Sequence, residues 1–251
     1  MEYSLNQRFV PDRDSQDRKM ALMAGGHEIW LGDVQVKGSQ VNLSLFYGHN
    51  MRQDGVPDPD KITSLVFPPS GPIFKPGISV NGGSLLLGFD APVAGYYTII
   101  ANQGIQVISQ IKNGYVLGPR SKFKDVIYAG AFHQIAKRIV AVRKRGVYTT
   151  DLAHGILEII PGSPECEVGD RLMLKARYGG RPLPHAGITV VSGKKKRKLA
   201  VLKTDEKGEA AIKIPWDGEW MFLLNHRDPF KKMNQEFDES VFVCTLVMEA
   251  I

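Results

Sequence analysis

Short segments in which apolar and polar residues alternate recur along this chain, and proline or glycine breaks separate them. Residues 41–47, for example, place a valine, two leucines and a tyrosine on one face of an extended strand. Pro68-Pro69 and Gly82-Gly83 are two of the breaks that follow. Many short strands at such spacing are typical of β-sandwiches. The pattern therefore predicts an all-β protein.

The strand pattern recurs in both halves of the chain, and 251 residues are enough for two domains with separate cores. Seven candidate strands in the second half match the strand number of an immunoglobulin-like sandwich. We expect two consecutive immunoglobulin-like or transthyretin-like β-sandwiches. The predicted parts are an N-terminal extension (1–26), an N-terminal sandwich domain (27–150) and a C-terminal immunoglobulin-like sandwich (151–251).

One segment departs from the strand pattern. Between residues 125 and 142, the apolar residues recur at intervals of three and four, and the segment contains no proline. This spacing predicts one short helix in the first domain, turning into a strand near residues 138–142. His133 lies inside the predicted helix.

Two histidines lie at the ends of what reads as a β-hairpin. Its strands are residues 28–36 and 41–47, and antiparallel pairing brings His49 back toward His27. Imidazole nitrogens bind divalent transition metals near neutral pH. Glu28, Asp54 or His133 could complete such a site. In the alternative interpretation, each histidine closes the hairpin through backbone hydrogen bonds, and His133 is a core residue.

The remaining chemistry-bearing residues carry weaker signals. His154, His185 and His226 fall in a linker, a turn and a strand end, where histidines are usually surface or structural residues. The sequence contains no GxSxG, HExxH, CxxC or GxxxxGK[ST] motif, so we expect no enzyme activity. Cys166 and Cys244 form either one disulfide or two buried thiols.

Charge and hydropathy restrict the partners. The formal charge is +6, but much of the excess lies in clusters at residues 143–145 and 194–198. No aromatic residues interleave with the lysine run, so we expect no nucleic-acid binding. No apolar run approaches the length of a transmembrane segment, and residues 1–19 are too polar for a signal peptide.

Several motifs in this order resemble one known family. They are HEIWL from His27, the GH motif ending at His49, ILEIIPGSP from Ile156, GDRLMLKARYGGRPLPHAGITV from Gly169, TDEKGEAAIKIPWDGEWMF from Thr204 and ESVFVCTLVME from Glu239. Together they look like the bacterial and archaeal family described as a nickel-uptake substrate-specific component. The resemblance covers nearly all of residues 27–251.

The resemblance implies an exported, periplasmic or cell-surface protein with two β-sandwiches, associated with nickel or cobalt uptake. Relatives typically begin their mature chain near the residue that matches His27, and their GH histidine matches His49. This chain departs from the pattern twice. Asn50 stands where many relatives have another histidine, and a polar extension of residues 1–26 stands where a hydrophobic signal would be expected.

These observations predict a non-catalytic protein that binds a divalent transition metal (Ni, Co, Zn or Cu) and assists its uptake. The predicted ligands are His27, His49 and His133. The predicted partners are the metal ion and a membrane transporter or another protein subunit. The alternative is a structural or interaction subunit, whose sandwiches and N-terminal tail dock on a partner complex or self-assemble.

Overall fold

A computed structural model of the protein describes residues 27–143, 148 and 155–251. This part of the chain is built almost entirely of β-strands, with short 3-10 turns at Pro59–Lys61 and Arg120–Lys122. The strands are β1 (Glu28–Lys37), β2 (Gln40–His49), β3 (Arg52–Gly55), β4 (Ile62–Phe67), β5 (Gly77–Asn81), β6 (Ser84–Asp90), β7 (Gly95–Ile111), β8 (Gly114–Leu117), β9 (Tyr128–Val142), β10 (Leu157–Pro161), β11 (Arg171–Tyr178), β12 (Arg181–Pro182), β13 (Gly187–Ser192), β14 (Arg197–Lys203), β15 (Glu209–Lys213), β16 (Gly218–Asp228) and β17 (Glu239–Ala250). No helix in the described ranges is long and apolar enough to cross a membrane.

The strands form three sheets. The central sheet has eight strands in the order β14-β13-β16-β17-β9-β7-β4, with β8 paired to β7. The first outer sheet has the order β1-β2-β6-β5, with β3 paired to β2, and the second contains β10, β11, β12 and β15. Strands β17 and β9 run parallel, and this pairing joins the two halves of the chain within one sheet.

Both faces of the central sheet are covered. Along β9, Ala136 and Val140 belong to the core beneath the first outer sheet, whereas Ile135 belongs to the core beneath the second. Successive side chains of a strand point to opposite faces, so one strand contributes to two cores. The predicted all-β sandwich fold is confirmed. The predicted domain boundary falls near residues 144–147 and 149–154, outside the described residues, and stays a prediction.

The predicted short helix is wrong, because residues 128–142 form the long strand β9. Nearly all of β9 is buried, on both of its faces. A strand covered on both sides needs apolar residues on both sides, so it loses the alternation that marks a half-exposed strand. Its apolar residues then fell at helical spacing by coincidence.

Strand β1 is the outermost strand of the first outer sheet, and two side chains of the central sheet bond the start of its outer edge. Gln134 Nε2 donates a hydrogen bond to the carbonyl oxygen of His27 at 3.1 Å. Thr245 Oγ1 donates to the carbonyl oxygen of Ile29 at 2.7 Å. Both bonds are buried, so they fix the start of β1 on the central sheet.

The two cysteines do not form a disulfide bond with each other. Cys166 and Cys244 are both buried free thiols. Of the two alternatives that the sequence left open, the structure has the pair of buried thiols.

We predict that Thr245→Val lowers the free energy of unfolding by about 1 to 3 kcal/mol, because it leaves the buried carbonyl of Ile29 without its hydroxyl donor. Urea denaturation measures the change. Thr63→Val is the matched control, since Thr63 is an exposed threonine of β4. Equal effects of the two substitutions would show that the bond to Ile29 contributes nothing.

Candidate metal centre

Two imidazoles and one carboxylate converge at the start of β1. His27 Nε2 lies 2.9 Å from Asp54 Oδ1, and His49 Nδ1 lies 3.1 Å from Asp54 Oδ2. The two imidazole rings are 4.0 Å apart between centroids, with an interplanar angle of 61°. One ligand atom from each of the three residues lies within 4.8 Å of the others. The Asp54 carboxylate thus bridges the two rings.

The hairpin and the turn that follows it create this convergence. Glu28 pairs with Gly48 across β1 and β2, which places His27 beside His49. Asn50 and Met51 then form a two-residue turn with φ angles of 50° and 59°. Positive φ at both central residues is the pattern of a type I′ hairpin turn. The chain reverses there, and β3 carries Asp54 back to the histidines.

Steric crowding explains the glycine of the GH motif, Gly48. A Cβ atom at position 48 would lie 2.1 Å from the carbonyl oxygen of Arg52, so only glycine fits there.

The structure also explains the asparagine at position 50. It adopts the left-handed conformation that asparagine tolerates, and its backbone N–H donates to Glu28 Oε1 at 2.5 Å. The chain therefore has a turn-forming residue at this position.

Burial differs across the cluster. The His27 side chain is only 6% exposed, whereas His49 is 26% and Asp54 40% exposed. The His27 ring also stacks on Tyr47, with centroids 4.6 Å apart and an interplanar angle of 10°. One imidazole is therefore held rigidly against the fold, and the other two groups border solvent. A cation from solution could reach all three.

Glu28 lies beside the cluster with an unusual protonation state. Burial raises the pKa of its carboxyl group to about 8; the N–H of Asn50 opposes this rise, and the negative charge of Asp54 adds to it. Glu28 is therefore largely protonated and neutral at pH 7. It acts here as a buried partner of the Asn50 turn and is not one of the converging groups.

The structure does not bring His133 to this cluster. Gln134, its neighbour on β9, bonds the backbone of His27, so His133 points to the opposite face of the central sheet. There its ring stacks on Phe242, with centroids 4.4 Å apart. Burial, and then the charge of Lys231, lower the pKa of His133. His133 is therefore a packed aromatic side chain of strand β9.

Asp54 takes the third position instead. The sequence alone marked it only as one of three groups that could complete such a site, beside Glu28 and His133. Strand β3 is short, polar and mostly exposed, so it has no hydrophobic alternation to reveal it. The available signal was Asn50, which favours a tight hairpin turn directly after β2.

Two further histidines of the described residues lie apart from the cluster. His185 is exposed and pairs with Glu206 at 3.1 Å. His226 is partly buried, with its ring 4.1 Å from that of Tyr178. His154 lies outside the described residues.

The fold and the cluster define an all-β sandwich protein with two histidines and one aspartate grouped at the start of its first strand. The chain belongs to the family described as "Domain of unknown function (DUF4198)", whose model matches residues 24–228. That description assigns no activity and no link to nickel. No curated protein matches the sequence.

Similar solved structures are distant. The D0-D1 domain of intimin is 10% identical, with a TM-score of 0.23, and the match covers 90% of this chain and 97% of that one. Murine CEACAM1b is 12% identical, with a TM-score of 0.23, and the match covers 90% of this chain and all of that one. At these TM-scores, neither structure says anything about the function of this protein.

We predict that Glu28→Gln makes stability less dependent on pH. In the folded protein the Glu28 carboxyl keeps its proton up to pH about 8, whereas its ordinary pKa is 4.5. The unfolded chain therefore binds fewer protons between these values, and wild-type stability falls as pH rises from about 4.5 to about 8. The variant should lack this slope, which is at most about 1.4 kcal/mol per pH unit.

Urea denaturation at pH 5, 6, 7 and 8 measures the slope. Glu206→Gln is the control, because the side chain of Glu206 is 82% exposed. Parallel pH profiles for the wild type and Glu28→Gln would contradict the prediction.

Proposed function

We propose that this protein binds a divalent transition metal through His27, His49 and Asp54, and that it is non-catalytic. The observation that carries the proposal is the convergence of two imidazole nitrogens and a carboxylate within 4.8 Å. Residues 27 and 54 are far apart in sequence, and three strands are needed to bring them together. Nitrogen and oxygen ligands of this kind suit Zn, Cu, Ni and Co.

The metal would be cargo. Three protein ligands leave further coordination positions for water or for a group on another molecule. His49 and Asp54 border solvent, so these positions face outward. A site that is open on one side and rigid on the other favours capture from solution and later transfer. It fits the uptake of nickel or cobalt that the family resemblance suggests, in a periplasmic or surface location and with a transporter as recipient.

Asp54 has a second role in this proposal. Without metal, its two carboxylate oxygens hold the two imidazoles in place through hydrogen bonds. Because the rings are already close together, little ordering is needed when a cation binds. The same carboxylate then supplies the negative charge that offsets the cation.

We predict that the purified protein binds Ni²⁺, Co²⁺, Zn²⁺ or Cu²⁺ in isothermal titration calorimetry. His27→Ala, His49→Ala and Asp54→Asn should each weaken binding by at least about tenfold, since the loss of even a supporting group around a metal typically costs 10- to 100-fold. Thermal melting of each variant separates loss of a ligand from loss of the fold.

His185→Ala is the matched control. His185 also pairs with a carboxylate, that of Glu206. Among the described residues, however, it belongs to no group of three potential metal ligands. Its removal should leave the affinity unchanged. Absence of binding for all four metals, or binding that none of the three site substitutions weakens, would refute the proposal.

We predict that the affinity falls as the pH is lowered, because protons compete with the metal for imidazole nitrogens. With two imidazole ligands, the decrease should approach about 100-fold per pH unit at low pH. Titration at pH 7.5, 6.5 and 5.5 measures it. An affinity that is constant over this range would mean that the histidines are not the ligands.

A further inference from the structure

Strand β5 forms an exposed and uncharged edge of the first outer sheet. Its residues are Gly-Ile-Ser-Val-Asn, and all except Ile78 are exposed. Val80 is 63% exposed. No strand in the described part of the chain pairs with the outer edge of β5. An edge of this kind offers free backbone donors and acceptors to another strand.

The lack of charge extends beyond β5. Between Lys61 and Asp90, Lys75 is the only charged residue, in a chain of which 23% is charged. The segment that leads into β5 also exposes Ile73, which is 54% accessible. Charged residues, lysine above all, are a usual protection of sheet edges against pairing, and β5 has none.

Three other outer strands of the described sheets are protected. The start of the outer edge of β1 is bonded by Gln134 and Thr245 of the central sheet. The outer strand β14 carries Arg197, Lys198 and Lys203. Strand β4 is bridged at Val66 by the segment around Phe74. The exposure of β5 sets it apart from these three strands.

We propose that two copies of this chain associate by antiparallel pairing of β5 with β5 of the second copy, joining their first outer sheets. This inference is independent of the proposed metal binding. It gives a definite surface to the self-assembly that the sequence offered as an alternative function.

The hairpin geometry sets the register. Asn81 and Ser84 pair across the two-residue turn Gly82-Gly83, so β5 bonds β6 through its odd-numbered residues. The N–H and C=O groups of Ile78 and Val80 then point outward. Pairing about a two-fold axis at Ser79 sets Ile78 opposite Val80 of the second copy and closes four hydrogen bonds.

This register also buries apolar surface. Ile78 packs partly against the core beneath the first outer sheet, and Val80 lies on the same face but remains exposed. In the pair, each Val80 lies beside an Ile78 of the other copy. Cross-strand pairs of β-branched residues stabilise sheets.

The charge of the protein favours contact between two copies at the β5 edge rather than at other parts of the surface. With a net charge of +6, two copies repel each other in most orientations. The β5 edge is where they can approach with the fewest like charges opposed. A self-complementary strand with no charge needs no separate partner to match it.

Sedimentation velocity of the full chain between about 1 and about 100 µM tests the proposal. The wild type should shift with concentration toward a species of twice the 27.8 kDa chain mass. Val80→Lys places a charge on the edge and should weaken dimerisation by at least about tenfold, because each lysine would replace the apolar partner of Ile78 in the other copy and the two lysines would be diagonal neighbours across the axis. Thermal melting and metal titration of the variant confirm that it remains folded.

Val201→Lys is the matched control. Val201 is 45% exposed on the outer strand β14, which is already charged. The Val201→Lys substitution should leave the dimer intact. A wild-type protein that stays monomeric up to about 100 µM would overturn the proposal. A dimer that Val80→Lys leaves unchanged, or that Val201→Lys weakens equally, would overturn it as well.

Discussion

The parallel pairing of β9 with β17 is the constraint on which the other layers depend. Nine residue pairs, from Glu239 with Gly130 to Val247 with Arg138, join strands about 100 residues apart in sequence. This pairing completes a central sheet with two faces to cover. Each outer sheet covers one face. The core beneath the second outer sheet includes Ile100 and Ile135, so that sandwich cannot form fully without strands from the first half of the chain.

Hydrogen bonds from the central sheet hold the candidate metal centre in place. Gln134 and Thr245 hold the backbone of β1 at His27 and Ile29. The β1–β2 register then sets His49, and the Asn50-Met51 turn sets Asp54. A chain of local constraints thus leads from a buried sheet to a cluster that opens to solvent. Its most buried member, His27, is also the one most directly anchored.

The two proposals concern different parts of the same sheet. The metal centre lies where β1, β2 and β3 meet, and the β5 edge lies on the far side of that sheet from β1. Gln53 of β3 donates a hydrogen bond to the carbonyl oxygen of Gly83 in the β5–β6 turn, so the two regions are linked. Pairing through β5 would leave the histidines accessible in both copies.

The sequence by itself determined the all-β class and the hairpin that brings His27 near His49. It could do so because a half-exposed strand alternates and a tight turn needs particular residues, both of which are local properties. Only the tertiary structure decided that residues 128–142 are a strand and that His133 faces away from the site. It also decided that Asp54 is the third group and that both sandwiches share one sheet. These outcomes depend on what covers each face of a strand, and that is set by partners distant in sequence.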